Sequence, residues 1–306
     1  MAASLTHRTA DRPTFGILLM LGFCVLAPMG DALAKFLGNT VPLGQLLLVR
    51  FGLQALILVP IVLLTARSFV MTPRVLRLTA IRTVLHILGI GAMFLALRYM
   101  PLADTVAIAF VMRFIMLLLG KYVLGEEVGA RRLIACTVGF CGTLLVIQPS
   151  FAAVGAPALL PLFVAVVFAL FMLVTRQVAK DVDPVSMQAV SGVIATAILG
   201  AVYVLFGGLA DDLLTLVMPS QLDMWLLALI GVLGTGAHLL MTWSLRFAPS
   251  ATLAPMQYLE IPVATVIGYL IFKDWPNGLA QLGIAITIGS GLYIIFREQK
   301  ISSGSG

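Results

Sequence analysis

Ten stretches of about twenty residues, each nearly free of charge, follow one another along this chain with little between them. A helix crossing roughly 30 Å of hydrocarbon needs about 20 apolar residues. The runs fall near 15–37, 42–66, 78–97, 102–124 and 133–148, then 157–179, 184–207, 224–245, 250–272 and 278–296. Pro, Gly, Asn and charged residues separate them, as at a water boundary. Hydrophobic residues make up 61% of the 306 and charged residues only 10%, whereas a soluble domain carries about 25% charged residues. The sequence therefore predicts an all-α integral membrane protein of ten transmembrane helices. Cys24, Cys136 and Cys141 all lie inside apolar runs without CxxC spacing, so neither a disulfide framework nor a thiol metal site is expected. The first run is too long for the core of a signal peptide and reads as a retained helix.

Loop charge gives direction. With the N-terminus in the cytoplasm, thirteen basic residues fall on the inner side, among them Arg67, Arg74, Arg77, Arg131, Arg132 and Lys180, and only Arg98 and Lys273 lie in outer loops. The positive-inside rule then places both termini in the cytoplasm. The net charge of +6 reports topology and attraction to anionic lipid, and no nucleic-acid partner is expected.

The ten runs divide into two sets of five. At one constant offset, Leu97-Arg98-Tyr99 matches Leu245-Arg246-Phe247, Pro101 matches Pro249, Ala103 matches Ala251, Gly120 matches Gly268 and Glu126 matches Asp274. Five is odd, so the second half enters the membrane upside down. Inverted repeats of this kind place a substrate site near the midplane between the halves. The expected organisation is a cytoplasmic tail (1–14), a first five-helix repeat (15–148), an outer loop (149–156), a second inverted repeat (157–296) and a cytoplasmic tail with a linker-like Ser-Gly end (297–306), around a central cavity lined by passes 1, 3, 4, 6, 8 and 9.

The stretch from Arg98 through Pro101, Asp104 and Met112, followed by Gly125-Glu126-Glu127-Val128-Gly129, Arg131-Arg132 and Gly139 to Pro149, resembles the drug/metabolite transporter superfamily, EamA branch. The resemblance implies a multi-pass bacterial inner-membrane transporter that works by alternating access, without a cofactor and as a monomer. Within that branch the chain is similar to bacterial amino-acid exporters, which would imply export of aromatic and other neutral amino acids. Another small metabolite or a drug is the alternative, and a membrane-embedded enzyme a further one, although no GxSxG, HExxH or paired-carboxylate motif is present. One departure stands out: where the resemblance implies proline in the fourth pass, this chain has Arg113. Arginine keeps the backbone N–H that proline lacks, so the fourth pass is expected to run straight.

Ionisable groups inside a membrane are costly and are the first functional candidates. Arg113 and Glu260 lie about 17 and 15 Å deep from opposite sides at 1.5 Å per residue, a shared depth at which they could pair. Arg113 could capture a substrate carboxylate and Glu260 could handle protons; Arg113 could also lack a role, and Glu260 could be a structural hydrogen-bond partner. Asp31 and Arg50 read as a structural ion pair between adjacent helices, which Lys35 could join from one turn away. His86 and His238 read as cavity-lining donors or as satisfied core residues, and no third ligand suggests a metal. Gln257, Tyr258 and Trp243, with Met93 and Phe94, could form a mixed pocket, or simply pack. Pro28, Pro255 and Pro262 interrupt helices and are candidate hinges.

A cysteine introduced near Ala210 is expected to react with a membrane-impermeant thiol reagent added outside, and one near Lys180 is not. Labelling in the reverse pattern would invert the whole topology.

Overall fold

The computed structural model describes residues 13–123, 130–178, 181–207, 213–247 and 256–303. In chain order the helices are α1 (Pro13–Leu37), α2 (Leu43–Leu64), α3 (Pro73–Leu97), α4 (Leu102–Ala109), α5 (Met112–Val123), α6 (Ala130–Val154), a 3₁₀ turn (Ala156–Leu159), α7 (Leu160–Val178), α8 (Pro184–Phe206), α9 (Gln221–Phe247), α10 (Glu260–Phe272) and α11 (Gly278–Ser303). No strand occurs among the described residues. α4 and α5 share the fourth pass, so ten passes stand as two five-pass repeats. Leu64, Val204 and Met218 are among many large apolar side chains left exposed, as suits a surface whose solvent is lipid.

Local chemistry fixes where helices start. Thr72 caps α3 by accepting from the Val75 N–H at 3.4 Å, with Pro73 in the first turn. Asp183 caps α8 through the N–H groups of Val185 and Ser186, both at 3.1 Å, and Pro184 follows it. Proline is well placed there, because a first-turn N–H has no partner within the helix. Asp183 also receives Arg67 at 2.6 Å. Partial burial pushes its carboxyl up, but Arg67 and the two backbone donors outweigh this and hold it below its ordinary value. Within the passes, hydroxyls bond back to the carbonyl four residues earlier, as Thr83, Thr143, Thr235 and Thr287 do, so these four donors are not left bare in hydrocarbon.

Three expected boundaries differ. α6 continues through Pro149 to Val154, so the connection expected at 149–156 shrinks to Gly155 and the 3₁₀ turn. α11 runs on to Ser303, past the expected end at 296. α1 passes through Pro28 unbroken. A proline inside a long helix loses one hydrogen bond, and neighbouring helices can carry that cost.

The fourth pass is not straight. It breaks at Phe110-Val111, where the backbone tightens to three-residue bonds: Val111 N–H to Ile108 O at 3.1 Å, Arg113 N–H to Phe110 O at 3.1 Å and Phe114 N–H to Val111 O at 2.9 Å. The ninth pass breaks at Tyr258-Leu259. There the cause is visible, since Pro262 offers no N–H to the Tyr258 carbonyl and its ring crowds that oxygen. Pro262 itself sits in the first turn of α10, so it sets the break ahead of it rather than bending the helix at its own position. Phe110 and Tyr258, and likewise Val111 and Leu259, are separated by the offset that relates the repeats. Each half thus breaks its fourth pass at the same place, one with proline and one without. The break at Phe110-Val111 is thus present with Arg113 in place and does not require proline there.

The halves are interleaved. α1 packs along α9 and α3 along α7, α2 faces α8, and α6 faces α11. Exchanging each helix for its repeat mate reproduces this set. Contacts across the centre therefore join equivalent residues: the Phe110 and Tyr258 rings lie 5.4 Å apart, and Thr287 Oγ1 lies 3.5 Å from the Gly139 carbonyl. At the α6–α11 seam the backbones approach closely, so that a Cβ on Gly142 would lie 2.9 Å from the Gly283 carbonyl oxygen and 2.9 Å from Thr287 Oγ1. Small residues permit this approach where no hydrophobic effect drives helices together. Gly142→Leu is expected to destabilise the protein by about 1–3 kcal/mol through overpacking, read as a lower midpoint of thermal unfolding in detergent. An unchanged midpoint would mean the seam is loose.

Candidate functional site

Polar side chains from both halves converge where the two broken passes meet. The Arg113 Nη1 donates to the Gln257 side-chain oxygen. Its guanidinium lies over the rings of Phe110 at 4.6 Å and Tyr258 at 5.5 Å. Gln257 Nε2 is 3.4 Å from Met20 Sδ in α1, and Cys24 Sγ donates to the Met256 carbonyl at 3.2 Å. α1 is thereby tied to the residues just before the ninth-pass break. Glu260, half-buried at the first turn of α10, is an electrostatic neighbour of Arg113 and Asp31. It does not pair with Arg113 within 4 Å; that expected pair is replaced by Gln257, whose neutral oxygen reaches the guanidinium first.

Deeper between the halves, His86 of α3 and His238 of α9 touch, with Nε2 to Nε2 at 3.1 Å. One ring must donate and the other accept, so two protons cannot both sit between these nitrogens. Phe51, Phe168 and Phe171 surround His86 at 4.9–6.3 Å, and both Nδ1 atoms lack a hydrogen-bond partner. The expected link of Asp31 with Arg50 does not close to an ion pair: the pairs among the described residues are Lys35–Asp274 and Arg67–Asp183. Arg50 instead stacks over Phe51 at 4.8 Å and lies against Gly234, where a Cβ would sit 2.9 Å from Nε. Lys35 turns away from Asp31 and bonds Asp274 at 2.9 Å and the Met100 carbonyl at 2.7 Å.

The other sequence candidates separate. Met93 and Phe94 share the main buried core with Tyr258. Trp243 does not reach that place, because it packs with Leu58, Val62, Val185 and Ala189 in a separate cluster of α2 and α8. Pro255, and the Gly-Glu-Glu run at 125–127, lie outside the described residues. A groove of about 460 Å³ between α6 and α11, lined by Ile134, Val138, Gly289 and Tyr293 among others, opens to the exterior, apart from these polar groups. Sequence reasoning passed over Arg82. It is fully buried in α3, bonded to Thr175 and Ser191, and its place one turn before His86 within an apolar run was the available signal.

Residues 14–148 and again 156–297 match the EamA-like transporter family. The chain belongs to the EamA-like transporter family. The twofold match accompanies the repeated architecture described above. Among named relatives, the S-adenosylmethionine uptake transporter of Rickettsia prowazekii is 22% identical over 288 residues, covering 94% of this chain and 95% of that one. The riboflavin transporter of Rhizobium johnstonii is 28% identical over 219 residues, covering 72% and 70%. A solved crystal structure superposes with a TM-score of 0.65 at 16% identity, covering 94% of this chain and 99% of that one, which establishes the shared fold. These relatives carry the names of metabolite transporters, and neither name is that of an amino-acid exporter. This member of the EamA-like family is a multi-pass membrane transporter of the drug/metabolite type.

Gln257→Ala is expected to leave the Arg113 charge with ring partners alone, costing about 1–3 kcal/mol. Adding Arg113→Ala should return part of that loss. A double-mutant cycle on thermal unfolding in detergent checks it, and strictly additive losses would mean the bond contributes nothing.

Proposed function

We propose that this chain carries a small metabolite with a flat conjugated ring by alternating access, bound where the two broken passes meet. The observation that carries this reading is the pairing of breaks. Phe110 and Tyr258 occupy equivalent places in the two halves, lie 5.4 Å apart, and hold Arg113 and Gln257 beside them. Broken helices at the interface of inverted repeats free backbone groups for a ligand without opening the protein to lipid. The rings supply stacking surfaces, while Arg113, Gln257 and Glu260 supply hydrogen bonds.

In this reading bundles that each combine helices of both halves, residues 15–148 and 157–296, rock about the site, with Pro262 beside the break of the ninth pass; Pro28 lies within an unbroken α1. Met93 and Phe94 belong to the same buried core as Tyr258. The protein acts as a monomer in the bacterial inner membrane with both termini in the cytoplasm. The relatives named for S-adenosylmethionine and riboflavin favour a ring-bearing metabolite of another class than the aromatic amino acids that the sequence resemblance implied.

Counterflow in proteoliposomes tests the proposal, using labelled S-adenosylmethionine, riboflavin, nicotinate, nicotinamide, pyridoxine and pyridoxine 5′-phosphate, with tryptophan apart as the amino-acid control. At least one is expected to exchange, with a rate that Tyr258→Ala lowers at least about tenfold, as loss of a stacking anchor worth about 1.4 kcal/mol would do. A folded protein that exchanges none of them, or that is indifferent to Tyr258→Ala, would overturn the reading.

A further inference from the structure

The junction of α3, α7 and α8 contains a buried cation that no carboxylate among the described residues neutralises. Arg82 has no exposed surface. Its Nε donates to Thr175 Oγ1 at 2.9 Å, its Nη1 to Ser191 Oγ at 3.0 Å, and its guanidinium lies 4.5 Å over the Phe171 ring. Thr175 spends its own proton on the Phe171 carbonyl at 2.6 Å, so its oxygen is fixed as an acceptor. The Arg82 Nη2 has no hydrogen-bond partner, and no carboxylate among the described residues reaches Arg82 within 4 Å.

The repeat supplies a comparison for this arrangement. Exchanging each helix for its mate turns the junction of α3, α7 and α8 into that of α9, α1 and α2. There the buried cation is Arg50 of α2, at a different place from Arg82, set against Gly234 of α9 and with its Nη1 likewise unpartnered. Asp31 of α1 is its electrostatic neighbour, without closing an ion pair. At the junction of Arg82 no carboxylate among the described residues plays even that part. A guanidinium held in a water-poor interior needs an anion, and its planar fork matches carboxylate and phosphate oxygens.

We propose that Arg82, with the Ser191 hydroxyl, anchors an anionic group of the transported molecule, a carboxylate or a phosphate. This rests on the transport reading above and deepens it: Arg82 holds the anionic group of the molecule on its way through, at a junction separate from the paired breaks. The junction is shut in this conformation, and the anion meets Arg82 when α7 and α8 draw back from α3. Arg82 lies about 14 Å along α3 from its start, on the side of the loops at 65–72 and 181–183, so the anion enters from that face.

The test compares the same ring with and without the charge. The full-length protein in detergent is melted with nicotinate or nicotinamide, and with pyridoxine 5′-phosphate or pyridoxine, for the parent, Arg82→Lys and Arg82→Gln. At least one anion is expected to raise the midpoint by about 3 °C or more in the parent while its neutral partner does not. Nicotinate alone acting assigns a carboxylate, and the phosphate ester alone assigns a phosphate. Arg82→Gln should abolish the rise and Arg82→Lys should keep part of it. If Arg82→Gln does not fold, Ser191→Ala should lower the apparent affinity for the anion at least threefold. Equal shifts by anion and neutral partner, no shift by either anion, a rise that survives Arg82→Gln, or an affinity unchanged by Ser191→Ala would overturn the proposal. Anion stabilisation without counterflow of any compound would sink the transport reading while keeping the anchor. Counterflow of neutral compounds alone would do the reverse.

Discussion

A hydrocarbon solvent gives the chain no hydrogen-bond partner, and the architecture depends on that constraint. Each backbone group must be satisfied within its own helix or by a neighbour. This is why the hydroxyls of Thr83, Thr143, Thr235 and Thr287 bend back to carbonyls, and why the two interrupted passes meet inside the protein. A break facing lipid would leave carbonyls and amides bare. A break facing its repeat mate can share side chains such as Arg113 and Gln257 across the gap. The same constraint draws the charged groups inward, where Arg50, Arg82, Arg113 and Glu260 cluster between the halves.

Much of the fold was legible because the bilayer writes in long words. Runs of twenty apolar residues and the matched segments around Arg98 and Arg246 give passes and repeat without any knowledge of packing. The ends of the words were less clear. Pro149 looks like a stop, but α6 runs through it, since one lost hydrogen bond is small beside a helix packed against α11.

The site was legible in part, and its misreadings have a common cause. Depth along a helix can be counted from sequence, and it correctly brought His86 to His238 and Arg113 to the level of residues 257–260. Azimuth around the helix cannot be counted so well. The expected partners Asp31 for Lys35, and Glu260 for Arg113, lie at compatible depths, yet the side chains turn to Asp274 and Gln257 instead. Trp243 fails for the same reason, pointing to the α2–α8 cluster and not to the centre. The proline expectation failed differently: the break at Phe110 persists with arginine at 113, so it does not require proline at that position.

The interleaving of the halves bears on how such a chain is made. Because α1 rests on α9 and α3 on α7, the earliest helices have their mates far downstream in the sequence. As synthesis proceeds, the first five passes enter the bilayer with Arg50 and Arg82 still lacking the helices that will bury them. They must be held together loosely, by the insertion machinery or by lipid headgroups, until α7 and α9 arrive. Nor is a five-pass half a smaller version of the whole. Its exposed seams fit an inverted copy of itself, and in that sense the single chain carries both subunits of an antiparallel dimer fused end to end.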